Sequence, residues 1–422
     1  MTRLASGGHV RESPEARNRL TVVFCYRASD SFGGGARMLW RLLGRMDDGE
    51  IEPILLAQRA DELVRRAADA GVDVRIVPYR GVLDTYDGEL LERSLADEAR
   101  AAARLLQFNL EARRHLSGAD VIWCDSIRSV LTLAPYSLVS DAPLVWNVGL
   151  GYESTGRWTR LNEAALRVAD HVFIEARRQA RRLFTARQYE RFEPKITAFH
   201  KGIDVDRFSL EAVGDVRRPA ANEDDLAPNG GDGPPLRVGT AALITPRKGL
   251  EHFVDAAADV LDGRDDVEFL IAGAPVSDAD RAYEESLRER IETRGIDDRV
   301  AFVGWVEEMP EYLASLDVFV LPSLNEGIPG AVREAAAMER AIVATDVGAT
   351  DEVVVDGETG LLVSPRDVEA LRRAIERLLD DPAVRERLGT NARERVVSEF
   401  SVDAYVRNYE RFLRRVGGEV DA

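Results

Sequence analysis

The stretch Pro322–Glu334, PSLNEGIPGAVRE, decides how this chain is read. Just upstream, Val318, Phe319, Val320 and Leu321 form an unbroken apolar run of β-branched, aromatic and aliphatic residues, the composition of a fully buried parallel strand. After a polar loop, Pro329 sits where the first residue of a helix tolerates proline, and Ala331, Val332, Ala335, Ala336 and Met338 continue a helix to about Glu339. The helix therefore starts at the carboxyl end of a parallel strand. Its free N–H groups and macrodipole favour a phosphate there, at the edge where open α/β sheets bind ligands. Glu326 precedes the helix start and Glu334 lies about 7 Å further along the axis at 1.5 Å rise per residue. That spacing suits one carboxylate on a sugar beyond a diphosphate and the other on the ribose behind it.

Working outward, 422 residues exceed what one hydrophobic core usually supports, so two domains are expected. A net charge of −18 argues against a general nucleic-acid binder, whose footprint is basic. No apolar run reaches transmembrane length and no apolar signal core opens the chain, which predicts a cytoplasmic protein. Cys25 and Cys124 fall in apolar strand-like runs and read as buried free thiols. Lys195, Lys201 and Lys248 are the only lysines, so arginine carries nearly all the positive charge; an acidic, lysine-poor surface suits a halophilic source.

Residues 1–18 are polar and without period, the pattern of a disordered tail. Leu20–Tyr26 (LTVVFCY) reads as the first buried strand, followed by Gly33, Gly34 and Gly35 and a helix to about Arg45. Strand and helix patterns then alternate to residue 200, predicting a parallel sheet covered on both faces. Residues 201–235 lose that alternation and turn rich in proline, glycine and acids, a crossover linker with a flexible acidic insertion. The alternation resumes over residues 236–400. The expected architecture is α/β, two doubly wound Rossmann-like domains facing a cleft, with a last helix at about 402–416 packing back on the first domain.

The stretch from Glu326 to Glu334 resembles the E-x7-E signature of glycosyltransferase family 4, retaining enzymes of the GT-B fold that use nucleotide-sugar donors. Lys248-Gly249 in TPRKGLEHF is similar to the K-G that opens the first helix of that family's donor domain, and Gly202-Ile203-Asp204 with Phe208 resembles its crossover run. Phe302–Gly304, ahead of Leu316–Ser323, and the turn VDGETGLLV at Val355–Val363 resemble other parts of that domain. The likeness is close over the C-terminal half and lies mainly in layout over the N-terminal half.

The resemblance implies that Glu334 contacts the ribose hydroxyls and Glu326 the donor sugar. It also implies that Lys248, with Arg247 standing in for an arginine the family commonly carries five residues before the lysine, meets the diphosphate. Backbone groups near Gly327, Ile328 and Gly330 would hold phosphate oxygens, with Ser323 and Gly304 also on the donor side. Lysine, guanidinium and helix N-terminus together can stabilise charge on a leaving phosphate, so no metal and no cofactor are expected. Gly34 and Gly35 open the first domain's helix and would bring backbone close to the donor diphosphate or the acceptor. Their spacing is not G-x-G-x-x-G, which disfavours a nicotinamide enzyme.

The chain departs from the family at WNVGLGYE, Trp146–Glu153, where family members often carry a histidine. Asn147 and Glu153 are the acceptor-side candidates in its place, and His200 reads as structural. The partners implied are a nucleotide sugar and a glycan, glycolipid or lipid-linked acceptor, with no nucleic acid. The arginine-rich run Ala176–Arg191 is a candidate for peripheral membrane contact. Two competing readings are another GT-B chemistry, such as nucleotide-sugar epimerisation, and a degenerate sugar-nucleotide-binding scaffold.

Overall fold

The structure, a computed structural model, describes residues 19–28, 34–46, 50–79, 95–149, 153–214 and 234–418. The expected N-terminal tail, Gly33, Leu150–Tyr152 and the acidic insertion over 215–233 lie outside the described residues. The chain divides into two compact units, one of Met1–Ile174, Arg182–Thr197 and Val406–Ala422, the other of Glu175–Arg181 and Ala198–Tyr405.

In the first unit, the strands β1 (Leu20–Tyr26), β2 (Ile51–Ala57), β3 (Asp73–Ile76), β4 (Val121–Cys124), β5 (Leu144–Asn147), β6 (His171–Ile174) and β7 (Ile196–Ala198) form a seven-stranded sheet. Their order is β3-β2-β1-β4-β5-β6-β7, and the pairings from β3 through β6 are parallel. β4 is apolar along its whole length and β1 at every position but Thr21, because helices cover both faces. The last helix, Val402–Val416, contributes Tyr409, whose ring lies 4.5 Å from Trp123 and 5.8 Å from Phe173, and Phe412, which lies 6.4 Å from Phe173. These aromatics close one face of the first sheet.

In the second unit, β8 (Leu236–Ala241), β9 (Val267–Ala272), β10 (Val300–Gly304), β11 (Val318–Leu321), β12 (Ala341–Thr345) and β13 (Leu361–Val363) are parallel in the order β10-β9-β8-β11-β12-β13. Alternation along β11 shows why the run is continuously apolar. Val318 and Val320 join the core under helices Leu250–Leu261 and Val368–Asp380, while Phe319 and Leu321 join the opposite core under helix Gly330–Ala337. The order of both sheets reverses between neighbouring strands, at β1/β4 in the first and at β8/β11 in the second. Such switch points leave a crevice at the carboxyl ends of the strands, where ligands bind.

The arginine-rich run Ala176–Arg191 does not form one amphipathic helix. It makes two short helices, Arg177–Leu183 and Ala186–Phe192, and Ala176, Ala180, Leu183, Phe184 and Phe192 are buried in the protein.

Candidate active site

The β8/β11 switch point assembles its site from three loops. After β8 the chain turns through Pro246–Lys248 and reaches Gly249, whose φ of 61° is left-handed. A Cβ at Gly249 would meet the Pro322 carbonyl oxygen, so glycine lets this turn lie directly on the loop that follows β11. Leu324 N donates to Arg247 O at 2.9 Å, fixing the two loops together.

That contact brings Lys248 to Glu326. Lys248 Nζ donates to Glu326 Oε1 at 2.5 Å, and Ser323 Oγ donates to the same oxygen at 2.7 Å. Both charged side chains are largely buried, 14% and 7% exposed. Thr345 Oγ1 at the end of β12 donates to Ser323 O at 2.6 Å, so the loop is pinned from the neighbouring strand as well. Gly348, at φ 60°, packs against the Glu326 carbonyl, and Ala349 N donates to Gly327 O at 2.8 Å. Glu326 is therefore a loop carboxylate held by a cation, a hydroxyl and the backbone of a third loop.

The helix after this loop begins at Gly330 and not at Pro329. Pro329 is the N-cap, with extended backbone at φ −71° and ψ 107°, and no side chain caps the helix. Its first-turn N–H groups accordingly face outward without an intrahelical partner. A Cβ at Gly327 or Gly330 would enter open space, so both leave bare backbone at the helix mouth. The helix ends at Ala337, because Glu339 takes a left-handed φ of 59°. Glu334 is half-buried within it, and its carboxylate makes no hydrogen bond or ion pair among the described residues. Burial pushes that carboxyl above its ordinary value, with the adjacent Arg333 opposing the shift. Arg333 is half-buried; one guanidinium nitrogen donates to Lys201 O at 2.5 Å, while its Nε has no partner.

The remaining donor-side candidates divide. Gly304 ends β10 at φ 71° and its carbonyl accepts from Gly273 N at 2.7 Å. Arg247 is exposed, and its guanidinium makes no hydrogen bond or ion pair among the described residues. Ile328 is half-buried against the core beneath the helix. Beside Gly304, Trp305 stands 68% exposed, a residue that strand patterning passed over; its signal was a lone tryptophan directly after a strand end.

In the first unit, Gly34 and Gly35 lie in the first turn of helix Gly34–Leu43. At the end of β5, the buried Asn147 Oδ1 has no hydrogen-bond partner. Glu153, by contrast, stands 3.6 Å from the Arg182 guanidinium. Asp125 follows β4 and was not singled out by the sequence. Its carboxylate accepts from Arg27 N at 2.8 Å and Ser129 Oγ at 3.3 Å, and burial pushes its pKa up to about 6. His200 Nε2 lies 3.3 Å from Glu352 and its ring packs on Phe400. Among the described residues no group of three or more His, Cys, Asp and Glu side chains could hold a metal ion.

Residues 235–381, which carry Lys248, Glu326 and Glu334, match the family model of Glycosyl transferases group 1. An alpha-maltose-1-phosphate synthase of Mycolicibacterium smegmatis is 31% identical over 334 residues, 72% of this chain and 81% of that protein. The chain belongs to the group 1 glycosyl transferases. A lipopolysaccharide core biosynthesis mannosyltransferase, LpcC of Rhizobium leguminosarum, is 33% identical over 207 residues, 49% of this chain and 56% of that protein. The chain spans only about half the length of that relative. The Anabaena protein Alr3699/HepE, solved in complex with UDP, superposes with a TM-score of 0.67 at 16% identity, covering 94% of this chain and all of that one. Together with the two parallel sheets, that likeness identifies the fold as GT-B.

Proposed function

We propose that this group 1 protein is a retaining glycosyltransferase that moves a sugar from a nucleoside-diphosphate sugar to an acceptor hydroxyl without a metal ion. The observation that carries the reading is the Lys248–Glu326 pair, buried at the β8/β11 switch point beside an uncapped helix start. In the reaction the bond from the sugar C1 to the diphosphate oxygen breaks, the bond from C1 to the acceptor oxygen forms, and the acceptor proton leaves with the diphosphate. Negative charge grows on the diphosphate as this happens. Lys248, the exposed Arg247 guanidinium and the N–H groups of Gly327, Ile328 and Gly330 are the positive groups that would stabilise it. Glu326 would meet the donor sugar, and Glu334, unpartnered and half-buried, would accept the ribose hydroxyls.

UDP is the first nucleotide to test, since HepE was solved with it. The acceptor side falls to the first unit, with Asn147 ahead of Glu153 because Asn147 holds an unsatisfied buried oxygen while Glu153 has an arginine beside it. A glycan, glycolipid or lipid-linked hydroxyl is the acceptor class, in keeping with a relative named for lipopolysaccharide core biosynthesis. No helix among the described residues is long and apolar enough to cross a membrane, and a cytoplasmic enzyme is part of the same proposal.

The test incubates the protein with UDP-, GDP- and other nucleotide sugars plus candidate acceptors and follows nucleoside diphosphate release. Lys248→Ala and Glu326→Ala should each abolish it, and the product's anomeric configuration, read by NMR coupling, should match the donor's. Activity that vanishes with chelator and returns with Mg²⁺ would remove metal independence. Donor binding with no turnover under any acceptor would instead point to a sugar-nucleotide-binding scaffold.

A further inference from the structure

In the first unit, a groove of about 530 Å³ runs between helices Arg157–Val168 and Ala186–Phe192. That volume lies within the range of about 300–1,000 Å³ that holds small ligands. Arg160 and Arg167 line one wall, Arg187 and Arg191 the other, and Glu163 is the one carboxylate among the lining residues. On a chain of net charge −18, four guanidiniums against one carboxylate make an isolated basic patch. A solvated arginine face would leave such residues loose and scattered, and two features argue against that reading.

The first is rigidity. The buried Gln188 donates from Nε2 to Thr159 O at 2.8 Å, and its Oε1 accepts from Ser154 Oγ at 2.8 Å and Thr185 N at 3.0 Å, which ties one helix to the other. Glu163 adds a second tie, meeting Arg167 at 2.9 Å and Arg191 at 3.5 Å from opposite walls. The second is unspent charge. Arg160 and Arg187 are exposed and make no hydrogen bond or ion pair among the described residues, whereas Arg167 and Arg191 share a single carboxylate. Two free planar forks on fixed helices, with two more nearby, match an anion with several oxygens in a compact space.

We propose that this groove of the first unit binds a phosphoanion of two or more charges. Free diphosphate groups of small molecules and phosphorylated headgroups share that chemistry. The binding probe is inorganic diphosphate, titrated calorimetrically into full-length protein carrying Lys248→Ala, so that the donor-site lysine does not contribute. Diphosphate should bind this protein, and adding Arg160→Glu and Arg187→Glu should weaken it at least about tenfold, the scale of losing charge-assisted hydrogen bonds. Both positions are exposed, and unchanged circular dichroism would confirm folding; Arg160→Lys with Arg187→Lys should bind with intermediate strength because charge stays and the fork is lost. Flotation with vesicles of phosphatidic acid in phosphatidylcholine separates the sources. Flotation that the charge reversals abolish assigns the headgroup, while diphosphate binding without flotation assigns a soluble ligand. Absence of diphosphate binding, or binding that survives the charge reversals unchanged, overturns the proposal.

Discussion

Separating Lys248 from Glu326 tests the site at its centre. With Nζ 2.5 Å from Oε1 and both side chains mostly buried, the gross Coulomb attraction is about 7 kcal/mol at an effective dielectric of about 20. Desolvation of both ions offsets most of that, so the quantity to predict is the coupling. Lys248→Met strands a buried carboxylate whose remaining partner is the Ser323 hydroxyl, and Glu326→Gln strands a buried ammonium; each should destabilise the second unit by about 3 kcal/mol. The double variant carries no buried charge here and should lose only about 1 kcal/mol, giving a coupling energy of about 5 kcal/mol. The assay is hydrogen exchange under increasing urea, read on amides of β11 and β12, which reports opening of this unit alone. A coupling below about 0.5 kcal/mol would mean that the two ions act as independent solvated groups, and the argument that the site stores a buried pair would fail.

Other predictions follow from neighbouring contacts. Glu334 has its pKa raised by burial, so its folded form favours the proton: its contribution to stability is complete below the ordinary value of 4.5 and is lost as pH rises through the raised one. Nucleotide affinity should run oppositely, falling on acidification before pH 4.5 is reached, and Glu334→Gln should flatten that fall; an affinity constant down to pH 4.5 would exclude the carboxylate from the ribose. Gly348→Ala forces a side chain onto a φ of 60° against the Glu326 carbonyl, and should cost about 1–3 kcal/mol and lower kcat through displacement of Glu326. Unchanged kcat and thermal stability would show that this loop gives way freely. Tyr409→Ala removes a ring buried against Trp123, Phe173 and Phe24 and should destabilise the first unit by about 3–5 kcal/mol in thermal unfolding; a loss under about 1 kcal/mol would mean the last helix is not part of that core.

Much of the fold was legible because buried parallel strands leave a strong mark. LTVVFCY, VEFLIA and VFVL can satisfy their apolar side chains only with helices on both faces, and β1, β9 and β11 occupy those runs residue for residue. Helix ends were less legible. Pro329 suits a first helical turn by its own φ, yet serves as the cap, and the helix stops two residues before the expected Glu339 because backbone left-handed at that residue ends it. The arginine-rich run from Ala176 carries no obvious break, yet Thr185 starts a second helix within it through a capping box with Gln188.

From sequence alone came the residue types of the site, their positions beside apolar strands, and the expectation that charge and backbone N–H groups converge on a phosphate. Only the tertiary structure decided which of them meet. Lys248 and Glu326 are 78 residues apart and follow different strands, and no local pattern encodes that β8 and β11 are neighbours. Sheet order places their loops side by side, and a glycine with φ near 60° on each flank lets the backbones touch. Asp125 and the groove between Arg160 and Arg187 were invisible for the same reason. Burial and facing geometry, which set a pKa or leave a guanidinium unpaired, belong to packed elements and not to the segments that compose them.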